Sequence, residues 1–267
     1  MAVTFDWRAD PKTKPLAPTP VLLSCFPSAG LAATVAAHYM VQALNLPRIG
    51  VFDSPDALPL AIVQGGKVHP PVRVYGGDGL AIVLSEFPPG AGAVGPIAQA
   101  ILAGAERMHA RLVLAVEGVV PHPLSDEEDS ESSADAPADE QVWYVTADAD
   151  SPWGEQLKKA KARMLGDGVI GGISGALLVR GQARSVPVAS LLVSSKNTEG
   201  YPDHRAAAAL IETIDRLLPD VKIDTGPLRT QAELIERALR TAMKSQKAGT
   251  RVPPEPARLG ETQSIYQ

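Results

Sequence analysis

Apolar residues in this chain fall into short unbroken runs set apart by glycine, proline and polar clusters. Val21–Phe26 (VLLSCF), Ile49–Asp53, Arg111–Glu117 (RLVLAVE), Val142–Thr146 (VWYVT) and Val186–Ser194 (VPVASLLVS) are each long enough for a strand and too short for a helix. Two hairpins are predicted. One turns at Gly65-Gly66 between Ala61–Gln64 and the run from Val68, and the other at GGDG between Val72–Tyr75 and Leu80–Phe87. Helical spacing marks Gly30–Leu44, stopped by Asn45 and Pro47, and Asp203–Leu218, with Asp203 as N-cap. A further helix is read as Pro96–His109, with Pro96 at its first position, and a short one over Gly175–Val179 with Ser174 as N-cap. From Pro227 to Lys244, Leu228, Ala232, Ile235, Leu239 and Met243 form one apolar stripe on a last helix. Strands alternating with helices predict an α/β fold with a largely parallel sheet, made mixed by the hairpins.

Composition narrows the function. Aromatic residues are 4% of the 267 positions, so Ala, Val, Leu and Ile must build the core. The net charge of −5 supplies no basic field for nucleic acid. No apolar run reaches the length of a membrane span, and the N-terminus lacks the apolar core of a secretory signal. With Cys25 the only cysteine, a reduced cytoplasmic protein is expected. The charge is unevenly placed. From Asp126 to Glu140 there are eight carboxylates and no Lys or Arg. Removing those eight negative charges from the total of −5 leaves +3. This stretch reads as a solvated insertion, residues 124–140, within a core spanning 18–225. An extension (1–17) precedes that core, and an amphipathic helix (226–246) and a flexible tail (247–267) follow it.

Candidate chemistry is sparse. Gly90-Ala-Gly92-Ala-Val-Gly95 matches GxGxxG, with Glu117 at the end of the next strand. A helix starting only at Pro96 would leave those glycines outside it, away from where pyrophosphate needs amides. Gly172-Ile-Ser174-Gly-Ala176 resembles a nucleophile elbow whose last glycine is replaced by alanine. The histidines at 38, 69, 109, 122 and 204 have no metal-ligand spacing, and no cofactor is expected. Asp53, Asp56, Asp78 and Glu86 are strand-end carboxylates with no evident partner, and Cys25 reads as a small buried residue. At the C-terminus, Ile265-Tyr266-Gln267 joins an apolar residue, a flat ring with a hydroxyl, and a free carboxylate.

Four segments together resemble the archaeal and bacterial branch of the proteasome-assembly-chaperone family: Phe26-Pro27-Ser-Ala-Gly30-Leu31, Pro70-Pro71-Val-Arg73-Val-Tyr75-Gly-Gly77-Asp78-Gly79-Leu, Gly168-Val-Ile-Gly171-Gly172-Ile-Ser174-Gly175-Ala-Leu-Leu, and Gly200-Tyr201-Pro202-Asp203. They occur in family order over about residues 20–240, with Cys25 and Ser28 standing where the family prefers glycine.

The resemblance implies a three-layer α/β/α fold like that of nucleoside phosphorylases, without a catalytic site, and a homo-oligomer. It also implies a partner, the α-subunit ring of the proteasome core particle. Some archaeal members dock on that ring through a C-terminal hydrophobic–Tyr–X tail, which here is Ile265, Tyr266 and Gln267. The expected role is an ATP-independent activator or an assembly chaperone. Two other readings stay open: an enzyme using nucleotides or nucleosides through the glycine-rich loops, and an oligomeric scaffold with no proteasome contact.

Overall fold

The computed structural model describes residues 6–9, 20–53, 60–77, 79–120, 140–148, 151–195 and 202–247, with the backbone alone at 6–9, 53 and 239–247. Among the described residues there are eleven strands: β1 (Asp6–Ala9), β2 (Val21–Cys25), β3 (Arg48–Asp53), β4 (Ile62–Gln64), β5 (Lys67–His69), β6 (Val72–Gly77), β7 (Leu80–Ser85), β8 (Leu112–Val119), β9 (Val142–Thr146), β10 (Arg163–Met164) and β11 (Val188–Ser194). The helices are α1 (Ala32–Ala43), α2 (Ala91–Arg107), α3 (Pro152–Lys159), α4 (Gly172–Arg184), α5 (His204–Leu217) and α6 (Gly226–Lys247). Nine strands make one sheet in the order β1-β3-β6-β7-β2-β8-β11-β9-β10, and β4–β5 is a separate hairpin.

The centre of the sheet, β7-β2-β8-β11, is parallel, and antiparallel pairs flank it at β6–β7 and β11–β9. These central strands read as continuous apolar runs because both of their faces are covered. Their alternation sorts the side chains. Leu23, Ile82, Leu114 and Leu191 pack on one face, beneath α1, α3, α5 and α6. Leu22, Val83, Val113 and Ala115 pack on the other, beneath α2 and α4. The result is the expected α/β fold in three layers with a mixed sheet.

Two readings are corrected. Helix α2 begins at Ala91, not at Pro96, so Gly92, Gly95 and Pro96 all lie inside it. Pro96 has no amide to offer the Gly92 carbonyl, a loss the first turns of a long, well-packed helix absorb. Helix α4 begins at Gly172, its N-cap is Gly171, and Ser174 is its third residue rather than its cap. Within the stretch read as an N-terminal extension, Asp6–Ala9 pair antiparallel with β3 as an edge strand. Asp203 does cap α5, accepting from the Ala206 amide at 3.0 Å.

Helices α1 to α4 close in the same way, and without glycine. Asn45, His109, Lys161 and Ser185 take left-handed φ values of 50°, 51°, 69° and 56°. The next amide then reaches back five residues: Leu46 to Val41, Ala110 to Ala105, Ala162 to Leu157 and Val186 to Gly181. An L-residue in that conformation costs about 1–2 kcal/mol. Elsewhere glycine is required by contact. A Cβ on Gly118 would overlap the Ala29 carbonyl, and one on Gly181 would overlap the Val188 side chain.

Two stability measurements follow. His109→Gly is expected to raise unfolding free energy by about 0.5–1 kcal/mol in denaturant titration, since it removes left-handed strain at an exposed site. Gly118→Ala is expected to lower it by about 3 kcal/mol or to prevent folding, because backbone rather than a movable side chain stands in the way.

Candidate functional site

The carboxyl ends of the parallel strands define the natural crevice of such a sheet. Helix α1 leaves β2 on one face, and α2 leaves the neighbouring β7 on the other, so a topological switch point lies between these two strands. The groove that opens beside it is lined by Phe26, Pro71, Phe87, Pro89, Ala93 and Ile97. The one polar side chain in this lining, Ser85, is engaged with the Phe87 backbone, so the groove offers a phosphate no free polar side chain.

The glycine motif does not assemble as a dinucleotide site. Gly92 has nothing within 4 Å of where its Cβ would stand. The third glycine, Gly95, makes room for an arginine instead of a strand, since a Cβ there would lie 2.9 Å from Arg180 Nη2. Glu117 does not meet this loop. It meets Ser174, whose hydroxyl donates to its carboxylate beside the N-terminus of α4. A Cβ on Gly172, which has φ of +59°, would come within 3.8 Å of Glu117 Oε1. Burial pushes the Glu117 carboxyl above its ordinary range, and the Ser174 hydrogen bond opposes that. The two residues singled out separately in the sequence are therefore one contact. Ser174 itself is 3% exposed.

A second polar cluster was missed. Arg73 lies on β6 with 1% exposure, between Val72 and Val74, which point to the opposite face. Its Nη2 donates to Glu86 Oε1, and its guanidinium stands 5.9 Å from the centre of the Tyr75 ring. Arg73 Nε and Nη1 and Glu86 Oε2 have no hydrogen-bond partner among the described residues. His38 of α1 brings Nε2 to 3.0 Å from Glu86 Oε1, without the alignment of a hydrogen bond. Burial first, and then the Arg73 charge, push the His38 pKa down to about 4. His69 on β5 faces Arg48 Nη1 at 3.2 Å and is shifted the same way, by burial and by Arg73, Arg48 and Lys67. The sequence signal was a lone Arg at an inward position of an apolar strand. Breaking such a buried pair costs about 3–5 kcal/mol.

The remaining candidates are placed as follows. Cys25 is fully buried, and burial pushes its thiol up to about 12, which keeps it protonated. Asp53 ends β3, with its side chain outside the described part, and Asp56, Asp78 and His122 lie outside the described residues. His204 opens α5 with Nδ1 3.0 Å from the Pro202 carbonyl. Among the described residues, no three His, Cys, Asp or Glu are grouped to hold a metal ion, and no helix is long and apolar enough to cross a membrane.

The expected docking residues Ile265, Tyr266 and Gln267 also lie outside the described residues, as does the acidic stretch up to Asp139. The stem that leads towards the tail is described. Helix α6 is seated on α5 through Leu228 and Ala232, which are 4% and 5% exposed. Arg229 grips Glu212 with two hydrogen bonds, at 2.8 and 3.0 Å, and donates to Glu140 at 3.0 Å. Arg205 donates to Glu236 at 2.7 Å. Burial pushes Glu212 up, but hydrogen bonds from Arg229 and Thr225 outweigh this and hold it below the usual carboxylate range.

The sequence profile of the PAC2 family matches residues 22–243. The chain belongs to the PAC2 family. It is similar to an uncharacterised protein of Methanocaldococcus jannaschii, at 24% identity over 83% of this chain and 84% of the relative. Among solved structures it resembles Pyrococcus furiosus PbaA, described as an archaeal homolog of proteasome-assembly chaperone. The TM-score is 0.73, at 23% identity over 93% of this chain and 95% of that one. It also resembles Pyrococcus furiosus PbaB, described as an archaeal proteasome activator, with a TM-score of 0.72 at 18% identity over 91% of this chain and 100% of that one.

His38 makes a measurable contribution to acid sensitivity. Its folded pKa of about 4 lies below its ordinary 6.5, so between these values the unfolded chain binds more protons. Stability is then full above about pH 6.5 and falls as the pH drops towards 4, by up to about 1.4 kcal/mol per pH unit from this group. Denaturant titrations across that range should show a shallower acid loss in His38→Gln than in the parent. Equal slopes would mean that His38 stays unshifted in the folded state.

Proposed function

We propose that this chain binds the proteasome core particle, acting as an ATP-independent activator or an assembly chaperone. The observation that carries this reading is the PAC2 match over residues 22–243, in a chain that ends Ile265-Tyr266-Gln267. Likeness in fold to PbaA and PbaB supports it. In this reading Ile265 fills an apolar pocket of the α-subunit ring, Tyr266 wedges against an α-subunit, and the Gln267 carboxylate pairs with a pocket lysine. The first half of α6, clamped to α5 by Leu228, Ala232 and Arg229, gives that tail a rigid base. Several subunits of a homo-oligomer would each present one tail, and linked weak contacts gain from effective concentration. The setting is cytoplasmic, and neither a cofactor nor catalysis is invoked. The apolar crevice, and Glu117 beside the first turn of α4, favour this role over nucleotide chemistry.

Binding to a cognate core particle, measured by surface plasmon resonance, tests it. The full chain is expected to bind. Tyr266→Ala and a chain ending at Ser264 are expected to lose binding by more than about tenfold while melting at the same temperature. Equal binding by the shortened chain would transfer the interface to the folded body. An intact chain that fails to bind would overturn the proposal.

A further inference from the structure

The outer edge of the sheet carries a feature that the reading above does not use. Strand β10 pairs with β9 on one side, and its other side is open among the described residues. The Leu165 amide turns inward to the Tyr144 carbonyl at 2.9 Å. Alternation then turns the N–H and C=O of Met164 outward. Around this free backbone lies the run Lys158-Lys159-Ala160-Lys161-Ala162-Arg163. Ala160 and Ala162 are buried at 1% and 4%, while all four cations are exposed. None of the four makes an ion pair with another described residue. Arg163 opens the two-residue strand, and Lys161 precedes it at the left-handed turn that closes α3. Met164 is 71% exposed.

The pattern has a matching occupant. An extended segment laid along β10 would find an open donor and acceptor at Met164, the cations of Arg163 and Lys161 beside it, and an exposed apolar thioether. A segment that mixes carboxylates with apolar residues complements all three. Charges on an exposed edge also repel like edges, so a second copy's β10, with the same four cations, is rejected. Nucleic acid fits less well, because an open strand edge offers a phosphate backbone no ladder and the chain as a whole carries −5.

We propose that the β10 edge, through Lys161, Arg163 and the Met164 backbone, takes up an acidic extended segment of a partner protein by strand addition. This surface is independent of the tail and of the proteasome reading.

The test uses the full chain and a fluorescent peptide of alternating Glu and Val, followed by anisotropy. Binding is expected, weakening with added salt. The double variant Lys161→Glu with Arg163→Glu should weaken it by more than about tenfold, while Lys222→Glu, which follows α5 and faces Asp215, should leave it unchanged. The same peptide N-methylated at alternate backbone nitrogens should not bind. Equal binding by the N-methylated peptide would overturn strand addition. Binding that emerges only after deletion of residues 126–139 would make the chain's own acidic stretch the occupant and overturn the partner. Equal binding of an oligouridine at the same edge would overturn the preference for acidic protein, and no binding of the peptide at all would end the proposal.

Discussion

The fold turns on a place where no side chain fits. At Gly118, near the end of β8, the Ala29 carbonyl lies against the strand where a Cβ would be. The Gly118 amide donates to Ser28 Oγ at 2.8 Å, so the turn into α1 is tied to the central strand. Gly30 and Leu31 both adopt left-handed φ, 59° and 51°, to make that approach. The Gly30 carbonyl then accepts from the Asp203 amide at 2.7 Å. Asp203 caps α5 and accepts from Ser195 Oγ at 3.0 Å. One close backbone contact thus fixes β2, β8, β11, α1 and α5 relative to each other. The strain at Leu31 is sustained by the hydrogen bonds that surround it.

From that centre outward, the protein separates its charges. Buried ionic groups are few, and Arg73 with Glu86 is the deepest pair. Its incomplete hydrogen bonding limits the net stability that it adds. The α5–α6 surface is the opposite case. Arg205 and Arg229 meet Glu140, Glu212 and Glu236 in a half-exposed network, each pair weak alone but sharing partners. Glu140 is the last of the eight clustered carboxylates, so the acidic stretch rejoins the fold at the root of α6. In the β9–β10 ladder, Arg163 stands opposite Trp143, three residues further on. Glu140 therefore ties the root of α6 to the residues that lead into β9, the strand that β10 flanks.

Much of this was legible in the sequence because the central strands are buried on both faces and have to be apolar throughout. The Asp203 cap was legible for an equally local reason, a short acceptor before an alanine-rich helix. What was hidden has physical causes. Pro96 marks a helix start only when no upstream residue can hold a first turn, and Ala91 to Gly95 do hold one. Helix α3 and β10 are short and lie in a basic stretch, so periodicity carries almost no signal there. Arg73 broke no pattern that a solvated strand would not also break. Its burial depends on α1 and Glu86 arriving from elsewhere in the chain. The pairing of Glu117 with Ser174 joins residues 57 positions apart, and parallel strands leave no local trace of it.

The two glycine-rich helix starts show how a crevice can keep its shape while its chemistry is inverted. A doubly wound sheet offers phosphates the amides at a helix N-terminus and a close backbone approach. Here α4 has that N-terminus, with glycine at 171 and 172, yet a carboxylate from β8 lies beside it and hydrogen-bonds to Ser174. An incoming anion would meet Glu117 first. Helix α2 has its own glycines, but the space beside Gly95 is filled by Arg180, and the groove before Gly90 is walled by Phe26, Phe87 and proline. Each local choice removes one requirement of phosphate binding and adds packing. A sheet treated in this way is suited to present rigid edges and a helical stem to another macromolecule. That fits the open β10 edge and the firmly seated start of α6 better than it fits a small ligand between them.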